Sequence, residues 1–444
     1  MGDLTKDLEI GIIGAGDMGL LYAKKFAQAG YRVNICDKPE CFEELKEKIK
    51  VLPKDSNSNL IYPVEDGFIV SRRSDYIIYS VEAFSIESVI KKYGKATKFN
   101  AIVGGQTSIK ATEVESFYKY MNDDVNIVTM HSLHGPRADT KGQTLVVLRC
   151  RATDEKFKIA VEMLSNLQSE ILYISPEEHD KITANTQAAT HICYLSLGTA
   201  WKTQGYYPWE NPMFNHNIDN VKISIALHIY GSKSHVYSGL AITNKMAKIQ
   251  IKCYVNAITQ LFKMMVGGEK TAFRKLVHDA SDFIFAKVRN DPSKKVLLLD
   301  SVLDQLAMST STTRVKNPNS HLSLLATAVC WYQMGLDPYH HLICQTPPFR
   351  LWLGIVEYLF CDEELLDQSI EAAVNDDFTK AEDLVFFISV LGWEQCIQLN
   401  SFEGFKERFE NTREFFIDKI DEAKSLSTKI ISYLAEERVK NSHH

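Results

Sequence analysis

Residues 127–143 read IVTMHSLHGPRADTKGQ, a β-branched run that ends in His131 and then turns through Gly135 and Pro136. Imidazole has an ordinary pKa of about 6.5, so near neutrality it can take a proton. At the carboxyl end of a strand it stands where open α/β sheets hold their ligands, which makes His131 the candidate general base. His134 is the competing imidazole in the same loop. A second polar set lies in EEHDKITANTQAATHICYLSLGTAW. At about 100° per residue, Asp180, Ala184, Gln187 and His191 fall on one helical face, whereas His179 points well away from it.

A third signature precedes both. EIGIIGAGDMGLLYAKKFAQAG, residues 9–30, sets Gly14, Gly16 and Gly19 between a strand-like run and a helical pattern. The first glycine permits a tight turn, the second lets a pyrophosphate approach the backbone, and the third brings helix and strand together. A second strand-like run, Tyr31 to Cys36, ends in an acid, Asp37. That context turns a glycine pattern into a dinucleotide-binding unit. Asp37 alone favours NAD, because a carboxylate accepts from ribose hydroxyls and repels a 2′-phosphate. Lys38 and the pair Arg72–Arg73 are cations that could offset that repulsion.

These residues need a sheet and a helical body to position them. Strand-like runs at 9–14, 31–36, 75–81, 101–104, 126–130, 144–149 and 171–174 alternate with helical patterns, which predicts a doubly wound, mostly parallel Rossmann sheet over residues 1–178. Ser175, Pro176 and Glu178 then announce a helix. From residue 179 to 444 the patterns are helical: 179–204, 236–265, 269–288, 320–335, 349–360, 363–374 and 402–436, with Tyr206–Asn220 as a loop. The net charge of −6 lacks any basic block, so no nucleic-acid partner is expected. Nine scattered cysteines without paired CxxC spacing argue for free thiols in a reduced compartment, and no metal site is expected. The first strand begins by residue 9, too early for a secretory signal, and the apolar stretch Leu322–Leu336 is shorter than a membrane span of about 20 residues. A soluble cytoplasmic protein is expected, with no membrane partner.

GIIGAGDMG, GGQTSIK (104–110), HSLHGPRAD and EHDKITANTQAATH occur in the order and at the intervals of prephenate dehydrogenases. With YPW (207–209), HVYSGLAITN (235–244) and PNSHLSLLA (318–326), the chain resembles above all the fungal NADP-linked members of that family, which serve tyrosine biosynthesis. The resemblance implies conversion of prephenate to 4-hydroxyphenylpyruvate and carbon dioxide with reduction of NADP. It implies His131 as the base on the ring 4-hydroxyl and Ser108 as the serine that orients it. His191 and Gln187 would then contact substrate, and Gly14, Gly16, Asp17, Met18, Gly19, Asp37 and Lys38 would hold cofactor. Bacterial relatives bind a substrate carboxylate with an arginine that LHIYGSKSHVYSGLA lacks. Lys233 is the nearest cation, with Arg137 next. The resemblance also implies an all-α dimerisation and substrate domain and a homodimer, which would cover Leu322–Leu336. Two other readings remain: a hydroxyacid dehydrogenase of the 6-phosphogluconate type, and an NADP-binding sensor without turnover.

Overall fold

The computed structural model describes residues 7–53, 57–136, 138–211, 214, 217–291, 319–344 and 346–421. The chain divides into two compact units, Met1–Lys181 and Ile182–His444. The division lies three residues beyond the expected 178 and carries His179 and Asp180 into the first unit.

The first unit holds one eight-stranded sheet in the order β3-β2-β1-β4-β5-β6-β7-β8. Its strands are β1 Glu9–Ile13, β2 Arg32–Cys36, β3 Ile61–Pro63, β4 Tyr76–Tyr79, β5 Ile102–Gly105, β6 Asn126–Ser132, β7 Thr144–Arg151 and β8 Glu170–Tyr173. Every neighbouring pair is parallel except β6 with β7. Successive strand residues point to opposite faces, so Tyr76 and Ile78 join one apolar layer while Ile77 and Tyr79 join the other. Helices α1 (Asp17–Gln28), α2 (Phe42–Lys50) and α6 (Asp154–Ser165) fill the first layer through Tyr22, Phe26, Leu45, Met163 and Leu164. Helices α4 (Ile86–Tyr93) and α5 (Lys110–Tyr120) fill the second through Ile86, Ile90 and Phe117. Coverage on both faces is what a parallel sheet requires. β3 was not anticipated, because three residues cannot display an alternating pattern.

One expected cofactor contact fails on topology. Arg72 and Arg73 close helix α3 (Gly67–Arg73), just before β4 begins, and so stand at the amino edge of the sheet. The glycine turn follows β1 at the carboxyl edge, a strand length of roughly 15 Å away at about 3.3 Å per residue. The pair cannot serve a 2′-phosphate there.

The second unit is helical, with a core formed largely by α8 (Ala189–Gln204), α9 (Asn217–Tyr230), α11 (Lys245–Gly267) and helix Leu322–Gln333. The expected loop Tyr206–Asn220 already enters α9 at Asn217. The single helix expected over 236–265 is two, α10 (Ser234–Thr243) and α11, because the Asn244 side chain accepts from the amides of Met246 and Ala247 and starts a new helix. Helix Asp377–Gln398 went unassigned: its LVFFISVLGW is apolar and β-branched on nearly every face and shows no helical contrast. Residues Leu322–Trp331 are buried within this unit's own core, so this helix does not need a second chain to cover it. Helix Phe402–Phe415 and its continuation are described to residue 421, and the rest of the expected 402–436 lies outside the described residues, as does Arg137. No helix among the described residues is long and apolar enough to cross a membrane.

Candidate active site

The glycine turn is built as its spacing demands. Gly14 has φ +108°, and a β-carbon there would lie 2.2 Å from the Ser80 carbonyl oxygen, so only glycine fits. A β-carbon on Gly19 would lie 2.0 Å from the Gly14 carbonyl oxygen, which is the close helix–strand approach. A β-carbon on Gly16 would meet no atom within 4 Å, leaving open space beside the backbone. No side chain caps α1, whose first turn carries Asp17, Met18 and Gly19. Uncapped amides over a cleared glycine are an anion cradle, and the site fits a pyrophosphate. At the end of β5, both polar atoms of the Gln106 amide are buried without a hydrogen-bond partner among the described residues, a further group awaiting a ligand.

Asp37 sits beside that cradle. Its Oδ2 accepts from the Ala15 amide at 2.9 Å and its Oδ1 from the Lys38 amide at 2.8 Å. The carboxylate is thus engaged by the turn's own backbone, and the Lys38 side chain is exposed.

His131 lies one residue before the end of β6, two strands from β4 at the same carboxyl edge, and is buried. Its Nδ1 is 2.8 Å from His179 Nε2, with the rings edge to face at 5.0 Å. His179 Nδ1 is in turn 2.9 Å from Asp180 Oδ1. Asp180 accepts from the first amides of α5, Lys110 to Oδ1 at 2.7 Å and Ala111 to Oδ2 at 2.8 Å. Burial, then the neighbouring His179 and Lys110, holds the His131 imidazole well below its usual 6.5. Burial also lowers His179, against an upward pull from Asp180. Both rings are therefore neutral at pH 7. The ring of His131 is partnered by His179 and not by Ser108, which is half-buried in the β5–α5 loop. Nε2 of His131 has no hydrogen-bond partner among the described residues. His134 is half-buried with Nδ1 2.9 Å from the Gly135 carbonyl oxygen, and burial lowers its pKa as well.

Beneath His131 runs a fully buried ion pair. Lys110 Nζ donates to Glu113 Oε1 at 2.8 Å, to the Met130 carbonyl at 2.7 Å, to Thr129 Oγ1 at 3.1 Å and to the Gly105 carbonyl at 3.2 Å. Glu113 also accepts from the Thr107 amide and hydroxyl, at 3.0 and 2.7 Å, and from the Thr129 hydroxyl. The pair ties the ends of β5 and β6 to the start of α5.

In the helical unit, the chain after α7 (Pro176–Thr183) passes through a π-turn, Ala184–Ala188, before α8. The wider turn breaks the 100° spacing, and Asp180 is bound to the α5 amides. Asp180, Ala184, Gln187 and His191 therefore do not act as one stripe. Gln187 is buried in the π-turn, whose Asn185 carbonyl accepts from Gln250 Nε2 at 3.0 Å. His191 packs edge-on against Tyr237 at 4.8 Å. Burial, with His228 adding to it, pushes its pKa down to about 3, so at neutral pH His191 offers hydrogen bonds and no charge. Lys233 precedes α10 and is exposed.

Residues 188–436 match the family described as 6-phosphogluconate dehydrogenase C-terminal domain, and residues 10–131 match that of ketopantoate reductase PanE/ApbA. The chain is 43% identical over 434 residues to the probable prephenate dehydrogenase (NADP+) of Schizosaccharomyces pombe, covering 98% of this chain and 99% of that one. It is likewise 43% identical over 431 residues to the prephenate dehydrogenase (NADP+) of Saccharomyces cerevisiae, covering 95% and 93%. The chain belongs to the prephenate dehydrogenase family. A solved prephenate dehydrogenase from A. aeolicus, in complex with hydroxyphenyl propionate and NAD+, is 15% identical, with a TM-score of 0.48 over 60% of this chain and 94% of that one.

For this family member, reading the sequence found His131 and the glycine turn but missed His179, Lys110 and Glu113. His179 was visible only as a residue off the polar stripe, and its direction gave no hint of a partner 48 positions earlier. Lys110 ends the GGQTSIK motif, where a lysine ordinarily reads as solvated surface.

Proposed function

We propose that this chain catalyses the oxidative decarboxylation of prephenate to 4-hydroxyphenylpyruvate with NADP, as a cytoplasmic enzyme of tyrosine biosynthesis. The observation that carries this reading is the neutral imidazole of His131 at the carboxyl edge of the sheet that also bears the glycine cradle, in a chain 43% identical to two prephenate dehydrogenases over nearly its full length. His131 Nε2 takes the proton of the ring 4-hydroxyl as hydride leaves the same carbon. Departure of the ring carboxylate as carbon dioxide leaves its electron pair in the ring and aromatises it. The proton then returns from the imidazolium to the phenolate oxygen, so the residue ends as it began. The nicotinamide, when bound, supplies the hydride acceptor. Gly14, Gly16, Asp17, Met18 and Gly19 would hold its pyrophosphate, and Asp37 is kept on the Ala15 amide while Lys38 meets the 2′-phosphate. His191 and Gln187 hydrogen-bond substrate and Lys233 faces a substrate carboxylate, with Ser108 beside the hydroxyl. Exposed Ile249, Val266, Leu384 and Ile388 on the helical unit suit a homodimer. The test is the near-ultraviolet absorbance of reduced cofactor with prephenate and either NADP or NAD. Turnover of prephenate with NADP is expected, and binding of NADP without turnover would reduce the chain to a sensor.

A further inference from the structure

We propose that His179 and Asp180 are positioning residues that fix the tautomer of His131, and thereby decide which of its two nitrogens is the base. The inference rests on His131 acting as that base. Helix α5 is where the chain of contacts starts. Ile109 at its amino end supplies no side-chain cap, and the two leading amides, of Lys110 and Ala111, are satisfied instead by one oxygen each of Asp180, 70 and 69 positions away. Fixed N–H donors on both oxygens hold the carboxylate in one orientation, at a helix amino terminus that favours its negative charge.

A carboxylate only accepts. The His179 nitrogen 2.9 Å from Asp180 Oδ1 is therefore an N–H donor, and in the neutral ring Nε2 must then carry the lone pair. Two lone pairs cannot face each other at 2.8 Å, so His131 Nδ1 bears the hydrogen that points at His179. One tautomer remains for His131, with Nε2 unprotonated. Without the Asp180 contact neither ring would have a preferred tautomer, and a fraction of His131 would present an N–H to the hydroxyl it must deprotonate. When His131 Nε2 does take a proton, the new imidazolium is already hydrogen-bonded through Nδ1 to a ring backed by the carboxylate. Lys110 and Glu113, the other charged groups packed against β6 here, are paired with each other.

The test begins with the wild-type holoenzyme, labelled with ¹⁵N-histidine and saturated with NADP, whose His131 resonances are assigned by their loss in His131→Asn. A protonated Nδ1 and an unprotonated Nε2 are expected. Asp180→Asn turns an amide NH₂ toward His179, reverses both tautomers, and should move the His131 hydrogen to Nε2 while lowering turnover on the order of 10²–10⁴-fold, the range of a lost general base. The Michaelis constant for prephenate should change much less. His179→Gln can offer its carbonyl to His131 and its amide to Asp180 and should stay within about tenfold of wild type, whereas His179→Leu should fall as far as Asp180→Asn. A wild-type His131 carrying its hydrogen on Nε2 overturns the proposal even if prephenate is oxidised normally. Equal losses in His179→Gln and His179→Leu overturn it too, and that comparison decides the matter should Asp180→Asn fail to fold. The reading of function fails separately, through undiminished turnover in His131→Asn.

Discussion

Replacing Lys110 with Met should unfold the Rossmann unit at a markedly lower temperature and take most of the activity with it. Both Lys110 and Glu113 have side chains fully shielded from solvent, and the ammonium makes contacts at 2.7, 2.8, 3.1 and 3.2 Å to two carbonyls, a carboxylate and a hydroxyl. Methionine keeps the volume and the stem packing, so the change removes charge and donors while leaving no cavity. What remains is a Glu113 carboxylate with its cation gone, and breaking a buried pair from one side costs about 3–5 kcal/mol. Two carbonyls, those of Met130 and Gly105, also lose this donor. For a unit of this size a loss of 1 kcal/mol lowers the melting temperature by about 2–4 °C, so a fall of roughly 6–20 °C is expected. Because the Met130 carbonyl precedes the catalytic ring, the tip of β6 should loosen and turnover should drop even where the protein is still folded. The assay is thermal unfolding by calorimetry beside prephenate-dependent reduction of NADP at a temperature well below both transitions. A melting temperature within about 2 °C of wild type, less than even a 1 kcal/mol loss would give, would refute the reasoning, since a fully buried ammonium whose removal costs nothing was not holding the strand ends together. Lys110→Met with Glu113→Leu should recover part of the loss, because a carboxylate removed with its partner is no longer stranded.

Turnover in His131→Asn should fall roughly 10²–10⁴-fold with NADP affinity intact, and His134→Asn should cost much less; the reverse order would exchange the roles of the two histidines. Because burial lowers the His131 pKa, the active neutral ring persists below pH 6.5, and the acid limb of turnover should lie below that value and vanish in His131→Asn. An acid limb above pH 6.5 would contradict the burial. Lys38→Ala should weaken NADP use about tenfold and leave NAD use nearly unchanged, measured as kcat/KM for each cofactor, and equal losses would remove Lys38 from the 2′-phosphate. Lys233→Met should raise the Michaelis constant for prephenate without altering cofactor affinity, and unchanged kinetics would pass that role to another cation.

The parts of this protein that were legible in the sequence are those whose physics is local. Gly14, Gly16 and Gly19 are constrained by the turn they make, so their spacing alone named the cradle. The sheet was legible because its strands are short apolar runs between helices, and His131 because it ends one of them. Arg72 and Arg73 were misread because a sequence places cations near a strand without saying at which end of the sheet the preceding helix deposits them. The helical face through Asp180 and His191 assumed an unbroken 3.6-residue period, and the π-turn at Ala184–Ala188 removes that premise. His179 is the instructive omission. Judged by its own helix it is a buried histidine beside an acid, and its meaning depends on two amides of α5 that orient Asp180 from 70 and 69 positions away. Polar residues that act through a chain of partners carry no periodic signature, because each link is fixed by a different element. The base can be read from one strand, but the tautomer that makes it a base belongs to the packing of β6, α5 and α7 together.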